Sequence, residues 1–399
     1  MNIPTLDKIG STVYLVMVDP KNNNNKWYKI EKINDTEILC TYGRIQESAQ
    51  QSKIYPLSKY ESVYKQKVKK GYTDNTYLLL EGSAESKNIA THTDKPEVKE
   101  FLNFINTNTR NVVQSALSVD INSVTEKQVD ESKNVMLDIS SAIMNKDVDN
   151  ANDLLVRQFT IIPRFIPRSG FASFIFSEYD EEKNKLLLEK EYELLDQLST
   201  IITNKDKSVN TTSNNIFELE YLNTKYLVNK YNSGLVSDYK DSKVRKIYRV
   251  HHSVTSNYNL ENSRLLWHGS SNANWLSILT NGLQVRPPGI PTTGSMFGNG
   301  LYFAELSQKS VGYTSYTGSY WARGNDKSAI LALYNVGLGK VKINETGQSM
   351  YIEDVTKQGY NSLHCYGRQK NRNSRLWNDE IIIPKSNQCN VAYLFWIGT

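Results

Sequence analysis

The stretch SRLLWHGSSNANW (residues 263–275) places one of only five histidines in the chain at the end of an apolar run, followed at once by a glycine and two serines. A histidine at a strand mouth offers a ring nitrogen as donor or acceptor. Gly269, lacking a Cβ, leaves its own N–H and C=O open to a flat polar partner. Further candidates follow: Tyr302 in GLYFAE, Lys309, Ser310 and Tyr313 in SQKSVGY, and Glu380 in NDEIIIP. Each has an ordinary reading when taken alone. A lone histidine at a strand end is commonly just hydrogen-bonded, tyrosines are frequent in a chain with twenty-five of them, and a glutamate before III can be a charge that blunts a sheet edge. The GxGxxG, GxxxxGK[ST] and HExxH patterns are absent, and GNG at 298–300 lacks the third glycine, so a Rossmann-type site is excluded.

These residues need elements to hold them. Aromatic, strand-like segments run through the C-terminal half. Upstream, the spacing predicts helices over 124–143, with Val129, Met136, Ile139 and Ile143 on one face, and over 183–202, with Leu188, Tyr192, Leu195 and Ile202 aligned. Thr125 and Gln128 form a capping-box pair at the start of the first. At the N-terminus, strands are expected over 11–18, 27–33 and 37–45, with KNNNNK (21–26) as a hairpin turn, and a helix over 58–70. Six lysines fall between Lys53 and Lys70 against Glu61 alone. Such a run is either a solvated helix face or a phosphate-contacting surface. Polar stretches at 83–97 and 204–215 read as linkers.

The 399 residues predict two to four domains, and 22% charged with 39% hydrophobic residues describe a soluble globular chain. The net charge of +5 permits a polyanionic partner without demanding one. Three scattered cysteines, Cys40, Cys365 and Cys389, make no CxxC pair, so neither a disulfide scaffold nor a metal site is expected. No signal peptide or membrane span is expected either.

Residues 264–314 resemble the catalytic core of the DNA-dependent poly(ADP-ribose) polymerases almost without gaps: the HGS triplet, the PPGIPTTG loop, GLYFAE and SQKSVGY occur in order. NDEIIIP is similar to that family's strand bearing its glutamate. NKWYKIEKINDTEILCTYGRIQ resembles the WGR module, with Tyr42 where the signature tryptophan stands, and 119–143 with 152–165 resemble the family's helical regulatory domain. The resemblance implies a multidomain α+β chain. Its parts are a small β-rich WGR module (1–82), a linker (83–97), an all-α regulatory bundle (98–204) and a mixed α/β ADP-ribosyltransferase domain (205–399). By the same resemblance the architecture expected is that of the shorter members, without a zinc-finger region ahead of the module.

By that resemblance the chain is an NAD+ ADP-ribosyltransferase making poly(ADP-ribose) on protein acceptors, itself included. DNA strand breaks activate it, it acts in the nucleus (in the cytoplasm if its source is a virus), and NAD+ is a substrate rather than a bound cofactor. Gly269 and Ser310 hold the nicotinamide amide, Tyr302 and Tyr313 sandwich its ring, and His268, Ser270 and Asn274 serve the adenosine-side ribose. Glu380 takes the nicotinamide-ribose hydroxyl and orients the acceptor, with Lys309 beside it. Tyr42, Arg44, Lys65, Lys67, Lys69 and Lys70 are the implied DNA contacts. Nicotinamide leaves as an already cationic group, so this chemistry needs one carboxylate near the ribose and no second acid. The resemblance is weaker at Gln284, where the family often has arginine, and at Ser295, where it has an aromatic. The alternatives are a mono-ADP-ribosyltransferase or NAD glycohydrolase, and a DNA-end scaffold without activity.

Overall fold

The computed structural model describes residues 3–45, 50–76, 95–203, 217–222, 244–252, 261–286 and 295–398. The expected linkers fall mostly outside these residues, as does the PPGIPTTG loop. The chain divides into two compact units, residues 1–87 with 111–203, and residues 88–110 with 204–399.

The first unit contains an antiparallel sheet in the order β4-β3-β2-β1-β5, built from β1 (Thr12–Asp19), β2 (Asn24–Lys32), β3 (Glu37–Arg44), β4 (Gln51–Pro56) and β5 (Thr73–Asp74). The asparagine tract makes the β1–β2 turn, where Asn23 adopts φ 50°, a left-handed conformation that asparagine tolerates better than most residues. Alternate positions Val13, Leu15, Tyr28, Ile30, Ile38 and Cys40 face a core closed by Tyr60, Val63 and Tyr64 of α1 (Tyr60–Lys69). Strand β4 gives no apolar alternation because it is an exposed edge.

The unit also carries the helices α3 (Glu126–Met144), α4 (Val148–Ile161) and α5 (Glu181–Thr203), preceded by the last residues of α2 (Pro96–Ala116). The Thr125–Gln128 capping box is formed in both directions. Val129, Met136 and Ile139 are buried as their spacing requires, and so are Leu188, Tyr192, Leu195 and Ile202. Ile143 is only half-buried; Ala142 lies inward in its place.

The second unit carries two sheets. One runs β6-β7-β14-β10-β8, from β6 (Phe217–Leu222), β7 (Val244–His252), β8 (Ser263–Gly269), β10 (Ser328–Gly337) and β14 (Cys389–Gly398). The other runs β11-β12-β13-β9, from β9 (Leu301–Phe303), β11 (Val341–Asn344), β12 (Ser362–Cys365) and β13 (Glu380–Ile383). Among the described residues, short helices α6 (Trp275–Asn281), α7 (Ser307–Val311) and α8 (Ile352–Lys357) accompany the sheets. The two sheets are joined where Trp267 and Ala304 exchange backbone hydrogen bonds of 2.8 and 2.9 Å. The early part of α2 belongs here, with Phe101 packed on Tyr248 and Trp396. Among the described residues no helix is long and apolar enough to cross a membrane.

Candidate active site and nucleic-acid interface

His268 follows the Trp267–Ala304 junction, and its Nδ1 lies 3.0 Å from the carbonyl of Tyr302. A carbonyl only accepts, so Nδ1 carries the proton and Nε2 presents a lone pair. Burial lowers the imidazole pKa below its ordinary 6.5, which keeps this neutral tautomer at pH 7. The junction thus sets the spacing between two implied site residues through the backbone. Tyr302 is held in turn: its hydroxyl donates to the Gly298 carbonyl (2.7 Å) and accepts from the Phe297 N–H (3.0 Å).

Strand β9 pairs with β13, setting Tyr302 opposite Ile382, and Glu380 opens β13 with its side chain largely buried. One Glu380 oxygen forms an ion pair with Lys309 of α7. The other, Oε2, is buried with no hydrogen-bond partner among the described residues. An unpaired buried acceptor of this kind costs stability unless a ligand donor completes it. Burial pulls the Lys309 ammonium below its ordinary pKa, and Glu380 opposes that pull.

Gly269 has a constraint that the sequence did not reveal. A Cβ built there would overlap the backbone carbonyl of Ser310. The glycine therefore lets α7 close onto β8, and the strand end and the Ser310 turn become neighbours. Ser310 itself is buried, and Asn274 donates to the Ser270 hydroxyl at 3.1 Å. Tyr313 is half-buried, stacked on Trp321 with centroids 6.0 Å apart and planes 17° apart, and burial lifts its phenol pKa to about 12. Gln284 donates back to the Asn281 carbonyl, at the end of its own helix.

Sequence reasoning missed Trp321 and a hydrogen-bonded cluster beside Glu380 formed by Glu305, His364, Lys370 and Asp379. These four are scattered over seventy-five positions, so no spacing signals them. Glu305, His364 and Asp379 have donor atoms close enough to hold a metal ion. The Lys370 ammonium already lies 2.6 Å from a carboxylate oxygen of both Glu305 and Asp379, and so supplies the cation.

Residues 190–393 match the poly(ADP-ribose) polymerase catalytic domain. The chain belongs to the poly(ADP-ribose) polymerase family. Residues 11–77 match the WGR domain. The chain is 24% identical over 441 residues to poly [ADP-ribose] polymerase 2-A of Oryza sativa subsp. japonica, an alignment covering 94% of this chain and 65% of the rice protein. Over 109 residues it is 44% identical to human poly [ADP-ribose] polymerase 2, covering 27% of this chain and 17% of that protein. It is 29% identical over 207 residues to the uncharacterized protein 101L of Invertebrate iridescent virus 6, covering 52% of this chain and 84% of that one. The chain thus spans less than two thirds of the length of these two polymerases.

In the WGR domain, Tyr42 stacks on Tyr28 at 5.2 Å. The Lys67 ammonium sits 3.7 Å above the Tyr28 ring and within 5.5 Å of the rings of Tyr42 and Tyr72, and burial lowers its pKa. Lys67 is therefore an internal cation–π partner, set apart from Lys69 and Lys70, which are exposed. Lys65, also exposed, pairs with Glu61 at 3.1 Å. Arg44 donates to the Asn23 carbonyl (2.7 Å) and reaches the Pro167 carbonyl (3.5 Å). Asn23 and Asn25 also donate to carbonyls of this segment, those of Arg168 and Arg164.

Proposed function

We propose that this polymerase-family chain is an NAD+ ADP-ribosyltransferase that builds poly(ADP-ribose) on protein acceptors, itself included, when its WGR domain meets a DNA strand break. The observation that carries the reading is the Glu380 carboxylate, oriented by Lys309 through one oxygen and unpartnered at the other. Oε2 would accept from the nicotinamide-ribose hydroxyl and so stabilise positive charge developing on the ribose in the transition state. The Nε2 lone pair of His268 would accept from the other ribose. The backbone of Gly269 and the hydroxyl of Ser310 would hold the amide of the departing nicotinamide, with Tyr302 and Tyr313 against its ring.

Regulation by DNA is supported by Arg44 and its neighbours, which tie the WGR sheet to carbonyls of residues 164–168. Exposed Lys69 and Lys70, with Lys65, would supply sequence-independent phosphate attraction. The helices would restrain NAD access until DNA loosens them, and such a ligand places the protein in the nucleus of a nucleated cell.

Incubation of the full chain with labelled NAD, with and without nicked DNA, tests the reading. Long labelled chains that increase with nicked DNA are expected. A single ADP-ribose per acceptor, or nicotinamide release without label transfer, would overturn polymer formation. Absence of NAD consumption would overturn the enzyme reading.

A further inference from the structure

The four polar residues beside Glu380, Glu305, His364, Lys370 and Asp379, connect the strands that carry the proposed catalytic groups. Asp379 immediately precedes Glu380 and is buried. Its carboxylate accepts from His364 Nε2 at 2.6 Å, from Lys370 Nζ at 2.6 Å and from the Gly367 N–H at 2.8 Å. His364 lies on β12, next to Cys365, and Cys365 is the register partner of Glu380. Lys370 continues to Glu305, just beyond β9 and its Tyr302. Glu305 in turn meets Arg264 of β8, the strand that ends in His268 and Gly269, at 3.4 Å. Asp379 also offers its backbone carbonyl to Lys309, at 3.4 Å.

A single charge cluster therefore touches β8, β9, β12, the loop after it, and the residue before Glu380. The His364, Lys370 and Gly367 donors hold the Asp379 carboxyl well below the usual carboxylate range despite the opposing effect of burial, so Asp379 remains ionised.

We infer that Asp379, locked by His364 and Lys370, is a positioning residue for Glu380: the cluster fixes the backbone from which the Glu380 carboxylate reaches the ribose. This rests on the NAD chemistry proposed above. Carboxylate placement matters in the transition state far more than in NAD binding, because a misplacement of about 1 Å costs on the order of 10²-fold in rate. A brace of this kind thus acts on kcat. The Asp379 and Lys370 side chains bond to His364, Gly367 and Glu305 and not to Gly269, Ser310 or Tyr313, so the nicotinamide pocket should be indifferent to their replacement.

The test uses the full chain with the variants Asp379→Asn and Lys370→Met, measuring kcat and KM for NAD together with the Kd of a benzamide-type inhibitor. Asp379→Asn should lower kcat about tenfold or more, with KM and inhibitor Kd within about twofold of the unaltered chain. Lys370→Met, at a half-open position, should show the same split more mildly. Restoring the cation as Lys370→Arg should recover turnover, and the Asp379→Asn, Lys370→Met double variant should lose less than the product of the single losses. Asp379→Asn turnover equal to that of an active unaltered chain would overturn the brace alone. So would a parallel fall in kcat and inhibitor affinity, which marks general unfolding; Lys370→Met would decide if Asp379→Asn fails to fold. An unaltered chain that consumes no NAD would overturn both readings.

Discussion

Glu380 pairs one carboxylate oxygen with the Lys309 ammonium and keeps the other buried, without a hydrogen-bond partner among the described residues. Glu380→Gln keeps the shape and removes the charge. Turnover and chain elongation should fall by about 10²-fold or more, while NAD affinity and slow NAD hydrolysis persist, because the lost interaction strengthens only in the transition state. Full-length polymer from the variant, seen on a labelling gel, would exclude this role.

The Ser310 carbonyl lies where a Gly269 side chain would go, so Gly269 substitutions act on packing as well as on any ligand. Gly269→Val should lose benzamide-type binding and stability together. Ser310→Ala leaves that backbone contact intact. It should raise the inhibitor Kd about fivefold to tenfold, the worth of one hydrogen bond, with little change in Tm. Unchanged affinity by calorimetry would place the amide elsewhere.

The strands, helices and capping box were legible because each rests on local chemistry: alternation in YKIEK, helical spacing in 124–143, a Thr–Gln pair three residues apart. Of the candidate site, His268, Tyr302 and Glu380 stood out through the motifs that carry the family resemblance, HGS, GLYFAE and NDEIIIP. What their backbones do for one another was not legible. The Trp267–Ala304 junction and the Gly269–Ser310 approach join segments more than thirty-five residues apart, and no pattern in the sequence encodes such contacts. The setting of Lys67 was illegible for a related reason: in sequence it is one of a run of lysines, and only the folded sheet places three tyrosines around it.

His268 ties the site to pH. Its folded pKa is depressed by burial below the ordinary 6.5 of the unfolded chain. Its contribution to stability is therefore present in full above 6.5 and is lost as pH falls through the folded value. Protonation would also convert Nε2 from acceptor to donor. NAD affinity should thus hold between pH 7 and 6.5 and weaken only on further acidification. In His268→Gln, whose amide oxygen accepts at any of these pH values, that acid limb should flatten. A limb unchanged in the variant would assign it to another group.

The residues that begin α2 define how a deletion should be drawn. Phe101 packs on Tyr248 and Trp396, and Thr109 donates to the Ala273 carbonyl, so residues 96–110 belong with the second unit. Removing 95–205 would uncover those aromatics. Removing 111–203 spares them, and should raise basal NAD turnover and erase its dependence on DNA. A soluble deletion that stays silent without DNA would end the autoinhibition reading.

Arg44 offers the sharpest test of how DNA could be sensed. Its guanidinium holds the Asn23 carbonyl and reaches the Pro167 carbonyl, so one side chain serves the WGR turn and the segment after α4. Lys69 and Lys70 have no such double role: they are exposed and would attract phosphate only. Neutralising both should weaken binding to nicked DNA and reduce its log–log salt slope by about two units at most. Arg44→Ala should leave much of the affinity while cutting the response, because it removes the contact with Pro167 rather than the main charge. Paired titrations separate the two: DNA affinity by fluorescence anisotropy, and NAD turnover at saturating nicked DNA. Full activation of Arg44→Ala at saturation, with only affinity lost, would reduce Arg44 to a phosphate contact and leave the carbonyl at Pro167 without a part in signalling.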